Sequence, residues 1–111
     1  MTFAQEIEEA AGDECIIACV IGNFGGSEVF GDGSGSRGIP AAMRNVVLPW
    51  KTARPLLDYN YDEGYGGEDC HPIFAWTASW VILCECYDVS TWVTAVPRMP
   101  KDCRPFFVGG G

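Results

Sequence analysis

The sequence predicts an α+β domain, an antiparallel sheet of about four or five strands with two short helices packed on one face. Three observations carry this. Residues 73 to 96 fall into three short runs rich in β-branched and aromatic side chains that read with period two. Residues 15 to 21 form a continuous apolar run of central-strand profile. Two stretches, near the amino terminus and after Pro49, place apolar residues at helical spacing.

Thr2 followed by Gln5 is a capping-box spacing, in which the hydroxyl accepts from the third helical N–H and the amide reaches back. Phe3, Ile7 and Ala10 or Ala11 share one helical face, and Gly12 is a stop, so a helix is expected over residues 2–11. Cys15 to Ile21 is apolar on both faces of an extended chain, which predicts a central strand covered on both sides. Gly22 to Gly38 is a long loop rich in glycine, serine and aspartate, carrying Phe24 and Phe30 as candidate anchors. Val46 to Leu48 reads as a short strand. Pro49 then sits where a second helix begins, with Trp50, Ala53, Leu56 and Leu57 on one side and Pro55 keeping it short. Ile73–Thr77, Trp80–Tyr87 and Thr91–Val96 read as a three-stranded meander joined at Ala78-Ser79 and at Asp88-Val89-Ser90. Pro97 and Pro100 end the regular structure. Residues 1–100 are expected to form a single domain and 101–111 a flexible tail.

The 111 residues include four Trp, four Tyr and six Phe, enough large side chains for a real core. The formal charge is −8, which argues against direct contact with nucleic-acid phosphates and against an anionic membrane surface. No apolar run approaches the ~20 residues of a membrane helix. The amino terminus lacks the basic start and apolar stretch of a secretory leader, so a cytoplasmic setting is expected. In that setting the six cysteines are expected as buried thiols, with a Cys84–Cys15 or Cys86–Cys19 contact inside the core.

Asp58 to His71 is the most unusual segment: five carboxylates, three tyrosines, no basic residue and the only histidine. Asp58, Asn60, Asp62 and Asp69 fall at the first, third, fifth and twelfth positions of a calcium loop. The turn glycine is displaced by Glu63, Asp69 is shorter than the usual bidentate Glu, and strand follows where a second helix belongs. The pattern therefore points away from a metal and towards recognition. Tyr59, Tyr61 and Tyr65 alternate with Asp58, Asp62, Glu63, Glu68 and Asp69, and carboxylates beside rings suit an arginine-rich protein surface. Cys70 and His71 point to opposite faces of an extended chain, which separates a nucleophile from its base. The cysteine pairs 15/19 and 84/86 lack zinc-loop spacing. Gly33, Gly35 and Gly38 spell a Gly-x-Gly-x-x-Gly outside any strand–turn–helix context. No catalytic residue and no cofactor are expected.

The run Val47-Leu48-Pro49-Trp50, Ala53 to Tyr59, Tyr61-Asp62, Gly64-Tyr65-Gly66, Asp69-Cys70-His71, Ala75-Trp76-Thr77, Tyr87-Asp88 and Val96-Pro97-Arg98 resembles a pattern in small uncharacterised acidic proteins of phages and mobile elements. The resemblance spans residues 47–100 and transfers no catalytic assignment. It implies a protein that occupies a basic surface of a host protein or ribonucleoprotein complex, as inhibitors of CRISPR and related defences do. A calcium-dependent or virion accessory protein and a cysteine-dependent enzyme are the alternative classes.

Overall fold

The computed structural model describes residues 1–23, 39–60, 70–87 and 90–107. Helix α1 spans Phe3–Ala11. Its capping box is formed: Gln5 N–H donates to Thr2 Oγ1 at 3.3 Å, and Thr2 N–H donates to Gln5 Oε1 at 2.8 Å. Gly12 ends it at φ 65°, a left-handed value that costs a residue without Cβ little, and its N–H bonds the Glu9 carbonyl at 3.1 Å. Helix α2, Trp50–Leu57, follows Pro49 directly and contains Pro55. Pro55 lacks the N–H that would bond back one turn, and the helix is held to eight residues.

Strands β1 (Ala18–Ile21), β2 (Val47–Pro49), β3 (Ile73–Trp76), β4 (Trp80–Tyr87) and β5 (Ser90–Pro97) form one antiparallel sheet in the order β2-β1-β3-β4-β5. The sheet and two helices are the α+β arrangement expected from the sequence. Phe3, Ala4, Ile7 and Ala11 from α1, with Ala53 and Leu57 from α2, pack on the face that carries Cys19, Ile21, Ile73, Ala75 and Ile82.

The expectation that Cys15–Ile21 is a strand covered on both sides is corrected. Only Ala18–Ile21 is strand, and its burial alternates, Cys19 and Ile21 inward. Both helices lie on that one side, and Ile17, just before the strand, is 58 % exposed although it shares the alternation of Cys19 and Ile21. The register aligns Pro49, Ala18, Trp76, Val81 and Val96 on the opposite face, and beside them Val47, Val20, Phe74, Leu83 and Thr94. Val47 and Phe74 stand well exposed there.

The β3–β4 turn is held from a distance. Thr77 Oγ1 accepts from Trp80 N–H at 2.9 Å and from Ser79 N–H at 3.2 Å, and donates to Glu14 Oε1 at 2.6 Å. Arg98 donates to the Thr77 carbonyl at 2.7 Å and closes the same corner. Beyond β5, Lys101 Nζ lies 4.6 Å from the Trp80 ring centroid, while Phe106 and Phe107 face solvent.

Candidate functional site

One end of the sheet gathers the exit towards the glycine-rich loop and the two boundaries of the acidic segment. Strand β1 leaves the sheet at Ile21, and its register partner Ile73 is where β3 enters. The chain on either side is locked by Gly22 N–H donating to the Pro72 carbonyl at 2.8 Å. A Cβ on Gly22 would lie 2.9 Å from Pro72 Cγ, so this approach needs glycine. Asn45 enters β2 at the same end with φ 62°, a conformation asparagine tolerates, and its N–H bonds the Ile21 carbonyl at 2.7 Å. Its side-chain amide donates to Asn23 Oδ1 at 3.3 Å. The exit towards the glycine-rich loop and the return from the acidic segment are thus neighbours. Between them Val20, Gly22, Asn45, Pro72, Ile73 and Phe74 line a shallow hollow of ≈ 220 Å³.

The helices bring the start of the acidic segment to this end as well. Phe3 N–H donates to the Tyr59 carbonyl at 2.8 Å, and Thr2 Oγ1 donates to Asp58 Oδ1 at 2.7 Å. Asp58 Oδ2 lies 3.5 Å from Arg54 Nη1, one turn earlier on α2. Arg54 also grips Glu8 with two bonds, Nε at 2.9 Å and Nη2 at 3.1 Å, and Trp50 Nε1 donates to the same carboxylate at 3.2 Å. This fork fastens α2 to α1. The spacing of 46 residues left no local signal for it in the sequence.

The Arg54 hydrogen bonds hold the Glu8 carboxyl below the usual carboxylate range, against desolvation pushing it up; Glu8 in turn raises Arg54. Glu14 is lowered by its bonds from Ser79 and Thr77. Folded values below the unfolded one mean that both groups contribute stability above about pH 4.5 and lose it as pH falls through the depressed folded values. Urea midpoints measured from pH 7 down to pH 3 are expected to fall most steeply below about pH 4.5. Arg54→Met should flatten that fall, and an unchanged profile in the variant would remove Glu8 from the explanation.

Tyr59 is not the freely exposed contact expected from its place among the carboxylates. Its ring packs 5.7 Å from Phe3 and 5.8 Å from His71, on the edge of the core. Its hydroxyl accepts from His71 N–H at 3.0 Å and pairs with His71 Nδ1 at 2.7 Å. His71 is completely buried and Cys70 nearly so. Asp58 and Asn60 are exposed. The remaining residues expected to bind a partner, Tyr61, Asp62, Glu63, Tyr65, Glu68 and Asp69, with Phe24 and Phe30 of the glycine-rich loop, lie outside the described residues. Of the calcium candidates, Asp62 and Asp69 also lie outside them. Asp58 already directs one oxygen to Thr2 and the other to Arg54, partners a cation would have to displace.

The cysteine expectation is corrected. Cys15 is exposed, so the Cys84–Cys15 contact does not form; Cys84 instead meets Cys70, and its sulfur approaches the His71 carbonyl at 3.8 Å. Cys86 takes a contact from Thr91 Oγ1 at 3.8 Å in place of one from Cys19. Burial pushes the Cys19 thiol up to about 12. The hydrogen bond with Cys70 holds Cys84 below the ordinary thiol value against its own burial. Among the described residues no group of three or more His, Cys, Asp or Glu is placed to hold a metal ion, and no helix is long and apolar enough to cross a membrane.

No family model, curated protein or solved structure matches the chain.

Proposed function

We propose that this chain is a small acidic, non-enzymatic protein-binding protein of phage type, acting by occupying a basic surface of a host protein or ribonucleoprotein complex. The observation that supports this reading most is the shared anchorage at one sheet end. Ile21 and Ile73 are register partners, and the Gly22–Pro72 bond ties the exit of the glycine-rich loop to the return of the acidic segment. Asp58 joins them from the end of α2. A rigid sheet end carrying two such segments presents them together to one partner.

The chemistry follows from the charge. Fifteen acidic against seven basic residues give a field that attracts a basic groove and repels nucleic acid from the same chain. Carboxylates stand in for phosphates, tyrosine rings stack on guanidinium groups, and the occupied groove is closed to its own ligand. A defence complex that handles nucleic acid is a target of this kind, and inhibition there is steric and electrostatic.

The test is capture from host lysate at low and high salt by the wild-type chain and by a variant with Asp58→Asn, Asp62→Asn, Glu63→Gln, Glu68→Gln and Asp69→Asn, its fold checked by circular dichroism. The wild type is expected to retain a basic partner at low salt and release it at high salt. The variant is expected to retain none. Equal capture by both would defeat the proposal.

A further inference from the structure

The two edges of the sheet are unlike. Strand β2 is three residues long and ends in Pro49, two features that blunt an edge. Strand β5 is eight residues long, Ser-Thr-Trp-Val-Thr-Ala-Val-Pro, rich in β-formers and without a charge. It pairs with β4 alone, and no described residue outside β4 makes a backbone hydrogen bond to it. Its outer N–H and C=O groups are a template whose chemistry fits an extended chain.

The surroundings choose the occupant. Met1, Glu6, Glu9, Ala10, Trp92 and Val93 line a hollow of ≈ 190 Å³ between α1 and this edge. A second copy pairing here would bring Glu6 and Glu9 towards their own counterparts in a chain of charge −8. A basic segment would instead meet opposite charge. On the other face, beside Trp92, Thr94 and Val96, an added strand meets a ring and β-branched side chains. Trp92 is held there by its Nε1 donating to Glu85 Oε2 at 2.8 Å and remains 37 % exposed.

From this edge and its acidic hollow we infer that β5 accepts an extended, basic segment of a partner protein as a sixth strand. The segment alternates Lys or Arg towards Glu6 and Glu9 with Val, Thr or aromatic residues towards Trp92 and Thr94. Main-chain bonds hold the segment, and the carboxylates select its charge. The inference rests on the proposed function for the charge of the partner and on β5 for the site.

The probe is a synthetic eight-residue peptide alternating valine and lysine, titrated into the isotope-labelled full chain. Binding is expected to slow hydrogen exchange at β5 amides. The same peptide with alternate backbone amides methylated keeps its charge and is expected to bind at least about tenfold more weakly. Equal binding of the methylated peptide, or unchanged exchange in β5, would overturn the inference. So would sedimentation of the chain alone as a dimer with β5 already protected, since a second copy would then hold the edge. The variant neutralised at positions 58, 62, 63, 68 and 69 is expected to bind the peptide within about twofold of wild type. Loss of peptide binding there would assign the peptide to the acidic segment and overturn this inference alone. Retained peptide binding with unchanged capture of the host partner by that variant would instead overturn the proposed function alone.

Discussion

Phe3→Ala is expected to destabilise the protein by about 3–5 kcal/mol, the range for truncating a buried aromatic residue and leaving a cavity. Phe3 is completely buried at the first position of α1. Its ring meets Tyr59, and its N–H bonds the Tyr59 carbonyl at 2.8 Å. Neighbouring core groups, Ile7, Leu57 and Ile82, are each fixed on separate elements and cannot all move into the void. A domain of this size has a total stability of roughly 5–15 kcal/mol, so this one change removes about a fifth of it or more. The melting midpoint should fall by roughly 12 °C or more. A fall of less than about 4 °C, which corresponds to under 1 kcal/mol, would contradict the packing described for α1.

Tyr59→Phe is expected to cost about 1–3 kcal/mol while leaving the ring packing in place. The hydroxyl is bonded to both the main chain and the ring of His71, a residue with no exposed surface. Phenylalanine keeps the contact with Phe3 and leaves those two His71 groups without the phenol oxygen. The loss is therefore a hydrogen-bond loss, separable from cavity formation. Urea unfolding should show a lower midpoint with an unchanged slope. Amide exchange at His71 should accelerate more than exchange at Ile82 in the centre of the sheet. A midpoint equal to wild type would mean that the Tyr59–His71 pair contributes nothing to holding the start of the acidic segment.

These two residues also show how far the sequence could be read. The capping box at Thr2 and Gln5 was legible because its chemistry is local, and the meander was legible because β3, β4 and β5 follow one another with short turns. The covering of β1 was not legible. Cys15 to Ile21 is apolar at every position, and composition does not say on which side two later-packed helices will settle. Both settled on the Cys19 side. Tyr59 alternates with carboxylates as Tyr61 and Tyr65 do, so nothing in the spacing set it apart as the ring that turns inward. What distinguishes it is Phe3, 56 positions earlier in the chain, and His71, 12 positions later. Glu8 and Arg54 were silent for the same reason, since each reads as an ordinary surface charge until the helices cross. The common anchorage of the two recognition segments likewise appears only once β1 and β3 are known to be neighbours.

In the proposed function the partner is bound at the sheet end where β1 leaves and β3 enters. Mapping amide chemical shifts of the labelled chain on addition of the partner captured at low salt tests it most directly. The account predicts the largest changes at Asn23, Asn45, Asp58, Asn60 and His71, and their loss at high salt. Changes centred on Glu14, Thr77 and Ser79 at the opposite end, with none around Asn23, Asp58 and His71, would contradict it.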